Sequence, residues 1–110
     1  MEIIDTMERL NELIESEDGV LLYFSNDACN VCKVLKPKVK EFLQEQFPRM
    51  RMGYIDTDMS PVLSGQHRVF TIPTILIFFQ GREQQRFSRN ISLHHLEAAI
   101  ERPYGIIFEE

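Results

Sequence analysis

Two stretches are apolar at consecutive positions, Val20-Leu21-Leu22-Tyr23-Phe24 and Thr74-Ile75-Leu76-Ile77-Phe78-Phe79. Short apolar runs bounded by Gly19 and Gly81 read as strands buried on both faces of a helix-covered sheet. Elsewhere the apolar positions recur at helical spacing. Met7, Leu10, Leu13 and Ile14 form one stripe to about Glu15, behind Asp5 or Thr6, either of which can cap the first turn. Glu17-Asp18-Gly19 reads as a stop. Val31, Leu35, Val39, Phe42 and Leu43 form the inward stripe of a second helix, from about Asn30 to Phe47, with Lys33, Lys36, Lys38 and Lys40 on its wet face. Pro37 lies inside that pattern, removes one helical hydrogen bond and predicts a kink.

The remaining elements follow from weaker signals. Met50 to Asp56 reads as a strand. Ser60-Pro61 opens a short helix that ends near His67, since proline suits the first helical position. Gly81-Arg82 makes a tight turn into a strand from Gln84 to Ser88. Asn90 or Ser92 caps a last helix, with Leu93, Leu96, Ala99 and Ile100 inward and Pro103 at its end. The apolar tail, Tyr104 to Glu110, reads as a strap over the core or as a strand added to a sheet edge. The order is helix, strand, helix, strand, helix, strand, strand, helix. The Val20–Asp56 unit requires a right-handed crossover and a parallel strand pair, and the Gly81 turn makes the last two strands antiparallel. The chain is therefore α/β with a mixed sheet, and its 110 residues predict one domain, 1–110, able to bury a core without staples.

Both cysteines, Cys29 and Cys32, lie where the first apolar strand passes into the second helix. A Cys-x-x-Cys at such a junction is a redox signature. The first helical turn carries unpaired N–H groups and the positive end of the macrodipole, so a thiolate there is stabilised. The second cysteine is within reach to close a disulfide. The alternative is a structural or zinc-binding pair. Zinc needs two further ligands, and His67, His94 and His95 stand at no motif spacing. Adjacent His94 and His95 face different ways on a helix, so no metal site is expected.

Net charge alters the picture only by exclusion. At −5, the chain lacks the basic surface that phosphate binding needs, so nucleic acid is not an expected partner. No apolar run approaches the roughly 20 residues of a membrane span, so no membrane association is expected. Met1-Glu2-Ile3-Ile4-Asp5 has no basic region followed by an apolar stretch, so no secretory leader is expected. In a reducing cytoplasm, the expected location, a lone cysteine pair is catalytic rather than structural.

From about Val20 to Ile100 the sequence resembles thioredoxin. The resemblance rests on the apolar strand, the Cys-x-x-Cys followed by Lys33, Pro37 five residues beyond Cys32, and Ile55-Asp56 at the end of the next strand. Its most specific part is Val69-Phe70-Thr71-Ile72-Pro73-Thr74, similar to the family's segment around its cis-proline. The resemblance implies that Pro73 is cis and lies against the disulfide; read without it, Pro73 is a strand-start proline. It also implies that Ile72 offers backbone groups to a substrate chain, that Cys29 is the nucleophile, and that Cys32 is the buried resolving thiol.

The chain departs from the family pattern at several positions. Asn30-Val31 replaces Gly-Pro, Ala28 replaces the aromatic residue before the first cysteine, and Tyr23 and Met52 align with the family's buried aspartate and its lysine neighbour. Arg89 stands near the small residue beside the substrate groove. There it would add charge to an apolar rim of Ala28, Val31, Ile72 and Pro73 and select acidic or otherwise specific substrates. Asp27 would oppose thiolate formation if close to Cys29. No strand is evident before the first helix, so the expected fold is a shortened thioredoxin-like one. Its sheet would have four strands in the order 2-1-3-4, the last pair antiparallel.

The expected function is thiol–disulfide exchange with protein substrates, replenished by a thioredoxin-reductase-type or other thiol reductant. No cofactor is called for, because the cysteine pair carries the electrons. The alternative is a protein-binding or redox-sensing module on this fold, suggested by the absent aspartate–lysine pair and by Arg89. A glutaredoxin-like enzyme ranks below both, since the paired glycines such enzymes use after the proline-containing strand are missing.

Overall fold

Side chains of successive strand residues point to opposite faces, and that alternation sorts the two apolar runs into two cores. In a computed structural model, which describes residues 1–108, the elements are β1 (Glu2–Ile3), α1 (Met7–Ser16), β2 (Gly19–Ser25), α2 (Asn30–Gln46), β3 (Arg51–Asp56), α3 (Pro61–Gln66), β4 (Thr74–Phe79), β5 (Arg82–Ser88) and α4 (Leu93–Phe108). Leu21, Tyr23, Ile75 and Ile77 pack beneath α2 and α4 with Val39, Phe42, Leu96 and Ile100. Val20, Leu22, Phe24, Leu76 and Phe78 pack on the other face with Leu10, Leu13, Ile14 and Leu63 of α1 and α3. Every residue of β2 and β4 is buried, because each is flanked by strands on both edges and helices on both faces.

The sheet order is β1-β3-β2-β4-β5. The expected four strands keep their relative order, but a fifth is present. β1 pairs in parallel with β3, Glu2 opposite Gly53 and Ile3 opposite Tyr54. Two residues are too few to show a period in the sequence, and β1 is held by contacts outside itself. The Ile4 N–H donates to Tyr54 O at 2.9 Å, and the Arg9 guanidinium forks onto both oxygens of Glu2. Ile4 is 1% exposed and lies over Gly53. A Cβ on Gly53 would stand 2.6 Å from Ile4 Cδ1 and 3.0 Å from Leu22 Cδ2. Gly53→Ala should therefore destabilise the protein by about 1–3 kcal/mol through overpacking, read from denaturant unfolding. An unchanged midpoint would mean that Ile4 moves aside without cost.

Further expectations are corrected. The hairpin turn is Gln80-Gly81, φ 52° and 81°, the paired positive values of a type I′ turn, so β5 begins at Arg82 rather than Gln84. Pro103 does not end the last helix, which runs on to Phe108. Proline costs one backbone bond there, but packing offsets it: Tyr104 lies against Phe47 at 5.0 Å and Phe108 at 4.8 Å between ring centroids. The tail thus covers the core as helix, not as an edge strand; its Glu109 and Glu110 lie outside the described residues. Val31 does not face inward but is 64% exposed, while Lys36 is half-buried, its Nζ 3.9 Å from the Tyr54 ring centroid.

His67 follows α3, edge-on to Phe78 with 5.9 Å between ring centroids, and its buried Nε2 has no hydrogen-bond partner among the described residues. Burial holds its pKa below the ordinary 6.5, with Glu83 opposing and Arg86 adding to that shift. A depressed histidine pKa means that the unfolded chain takes the proton first. Stability should be insensitive to this group above pH 6.5 and fall as the pH drops below it. Replacing the residue, His67→Leu, should flatten that part of the pH–stability curve; an unchanged slope would remove His67 as its source.

The register places four loops together. Ser25 pairs with Asp56, Phe24 with Thr74, and Thr74 with Ser88. The segments after β2, β3 and β5, and the segment before β4, therefore leave the same end of the sheet.

Candidate active site

β2 delivers the cysteine pair through a short turn. Asn26 Oδ1 accepts from the Ala28 N–H at 3.0 Å, and Asn26 O accepts from the Cys29 N–H at 3.3 Å. That side-chain-to-backbone bond is the local habit of asparagine in turns. Cys29 is the N-cap of α2, with extended backbone, and its Sγ accepts from the Cys32 N–H at 3.1 Å. Cys29 and Cys32 form a disulfide with Cα atoms 5.2 Å apart. Cys29 is half-buried, whereas Cys32 is 2% exposed.

Beneath the pair lies Tyr23, fully buried, whose hydroxyl donates to Cys32 O at 3.1 Å. Burial first, and then neighbouring Tyr54, push its pKa up to about 12. The hydroxyl is therefore neutral at physiological pH and anchors the first turn of α2 rather than taking a proton. Tyr54 itself accepts from Ser25 Oγ at 3.1 Å.

The Ile72–Pro73 peptide bond is cis. Pro73 is buried, and Ile72 is half-buried against the same core cluster as Cys29 and Cys32. Pro73 O accepts from the Arg89 N–H at 2.9 Å, which ties the segment after β5 to the proline. Asn30, Val31 and Arg89 meet along an open groove of about 690 Å³ with Val34, Leu35, Lys38, Asn90, Ile91 and Ser92. Ala28 is exposed on the loop before Cys29 and does not line this groove; neither do Ile72 and Pro73. Lys33 is exposed on α2. Pro37 lies one turn further along, without an N–H for the Lys33 carbonyl.

Val34 and Ile91 were not visible as site residues. Val34 sits one turn beyond Val31 on the outer face of α2, and an apolar pair on a face otherwise lined by lysines was the available signal. Phe70 is 83% exposed in the segment before Pro73 and does not line this groove. Among the described residues, no group of three or more His, Cys, Asp or Glu side chains is placed to hold a metal ion. Nor, among them, is any helix long and apolar enough to cross a membrane.

A family model for thioredoxin matches residues 2–102. The chain belongs to the thioredoxin family. It is 29% identical over 103 residues to the thioredoxin-like protein YdfQ of Bacillus subtilis, covering 94% of this chain and 91% of that protein. It is 33% identical over 72 residues to the thioredoxin of Buchnera aphidicola, 66% of each chain. The solved thioredoxin of Fasciola hepatica superposes with a TM-score of 0.83 at 26% identity, covering 93% of this chain and 98% of that one. With a cysteine pair at bonding distance on this fold, the protein is a thiol–disulfide oxidoreductase. Members of the thioredoxin family act on protein disulfides, with reductants of the thioredoxin-reductase type.

Proposed function

We propose that Cys29 is the attacking thiolate and Cys32 the resolving thiol of a protein-disulfide reductase working in the cytoplasm. The observation that carries this is the asymmetry of the pair. Cys29 is half-buried and its Sγ accepts one helix N–H, that of Cys32, whereas Cys32 is 2% exposed. The helix terminus lowers the pKa of a thiol placed there, and accessibility admits the substrate sulfur.

The reaction then runs in two exchanges. Cys29 S⁻ attacks one sulfur of the substrate disulfide, the substrate S–S bond breaks, and the departing thiolate takes a proton. Cys32, once deprotonated, attacks Cys29 Sγ, and the second substrate sulfur leaves and is protonated. The substrate gains two electrons and two protons, and the enzyme pair becomes the disulfide. An external dithiol of the thioredoxin-reductase type reverses that oxidation. Tyr23 supplies no base near neutral pH, so the proton of Cys32 passes to the leaving substrate thiolate or to water. Ala28, Ile72, Pro73 and Arg89 bind the substrate chain. Asn30, Val31, Lys33, Pro37 and Tyr23 hold the first turns of α2 in place.

Equilibration in glutathione buffers followed by thiol trapping tests this reading. One reversible two-electron transition is expected, with Cys29 alkylated well before Cys32 in the reduced protein. A potential near about −270 mV fits a reductase, and one near about −120 to −180 mV reverses the assigned direction. Failure of any intramolecular disulfide to form would remove the exchange chemistry altogether.

A further inference from the structure

We propose that the groove beside the disulfide selects protein substrates bearing an acidic residue and an apolar neighbour within a few positions of the reactive cysteine, with Arg89 as the specificity-determining residue. The inference rests on the exchange reaction proposed above. The groove wall is apolar where it meets the active site: Val31 and Val34 are 64% and 60% exposed, and Ile91 and Leu35 complete it. Its charged lining residues are Lys38 and Arg89, both cationic, and no acidic side chain lines it among the described residues. This runs against a chain whose net charge is −5. An apolar trough with cationic edges complements a segment that presents an apolar side chain beside a carboxylate.

Arg89 carries most of this complementarity. Lys38 also borders a neighbouring depression lined by Glu41 and Glu45, so its surroundings are of mixed charge. Arg89 has φ 65°, in the left-handed region that favours glycine, so its long side chain stands at a position most economically filled by none. Its backbone N–H donates to Pro73 O, so its side chain starts beside the proline segment and lines the groove. A planar guanidinium pairs with a carboxylate through two parallel hydrogen bonds, which lysine cannot reproduce.

The test uses two disulfide-linked peptides of equal length, each with leucine beside the reactive cysteine and either glutamate or lysine next to it. The neutral reagent hydroxyethyl disulfide serves as a third substrate. The reduced wild-type protein should show kcat/KM higher for the acidic peptide by about three- to tenfold, mostly through KM and shrinking with added salt. Arg89→Gly, which suits the backbone conformation, should bring the ratio between the peptides close to one. Arg89→Lys should retain part of it, and Arg89→Glu should invert it. Equal rates for the two peptides alongside reduction of the neutral disulfide would overturn the selectivity alone. A ratio unaltered in Arg89→Gly would overturn the assignment to Arg89. No reduction of any of the three would overturn the exchange reaction together with the selectivity.

Discussion

Cys29→Ser eliminates turnover of protein disulfides, with a loss on the order of 10³-fold or more. The reason is chemical rather than structural. A serine hydroxyl at the helix N-cap still accepts from the Cys32 N–H, as Cys29 Sγ does at 3.1 Å, and serine is among the best N-cap residues. The fold should therefore persist, with an unchanged far-ultraviolet spectrum. The hydroxyl, however, is not ionised near neutral pH and does not exchange with disulfides. Cys32 cannot substitute, being 2% exposed and unable to meet a protein disulfide without opening α2. The measurement is reduction of a protein disulfide under single-turnover conditions, which separates chemistry from re-reduction. A Cys29→Ser protein retaining a tenth or more of wild-type activity would falsify the assignment of the nucleophile.

Cys32→Ser has the opposite appearance. The first exchange proceeds and the second cannot, so the enzyme accumulates as a mixed disulfide with its substrate through Cys29. Under excess substrate and without added thiol, the trapped species should approach one substrate per enzyme. It should be visible as a mass increase that thiol reductant removes. Removing the buried sulfur leaves the Tyr23 hydroxyl bond to the backbone oxygen of residue 32 intact, so the site geometry should survive. If mass mapping instead found no adduct, or an adduct elsewhere than Cys29, the two-step order of the cysteines would be wrong.

Much of this was visible in the chain before any coordinates. The two apolar runs located β2 and β4, because a strand flanked on both edges and covered on both faces must be apolar at every position. The Cys-x-x-Cys announced the chemistry, because helix-terminus electrostatics is a local property of the strand-to-helix junction. Elements whose stability is borrowed from elsewhere were harder to see. β1 has two residues and exists through Tyr54, Arg9 and the space above Gly53. The last turn of α4 survives Pro103 because Phe47 and Tyr104 stack against each other, and Arg49 donates from its backbone to Tyr104 Oη and from its side chain to Phe108 O.

The site divides in the same way. Cys29 and Cys32 were legible from residue type and spacing, and the proline-bearing segment from the family resemblance, but which apolar side chains share a groove with the cysteine pair was not. Val31 read as core because its spacing matched the inward stripe, yet Cys32 and Leu35 are the residues there that turn to the core, and Val31 and Val34 stand in solvent. Arg89 meets Asn30 and Val31 only because the β4–β5 register carries the end of β5 to the end where β2 delivers its cysteines. By itself, the sequence determined the order of the eight elements after β1, the proline start of α3 and the reactive pair, since each follows from interactions between near neighbours in the chain. The tertiary structure decided the fifth strand, the length of the last helix and the composition of the groove. Each of these depends on contacts between residues far apart in sequence, whose meeting is set by strand register and packing.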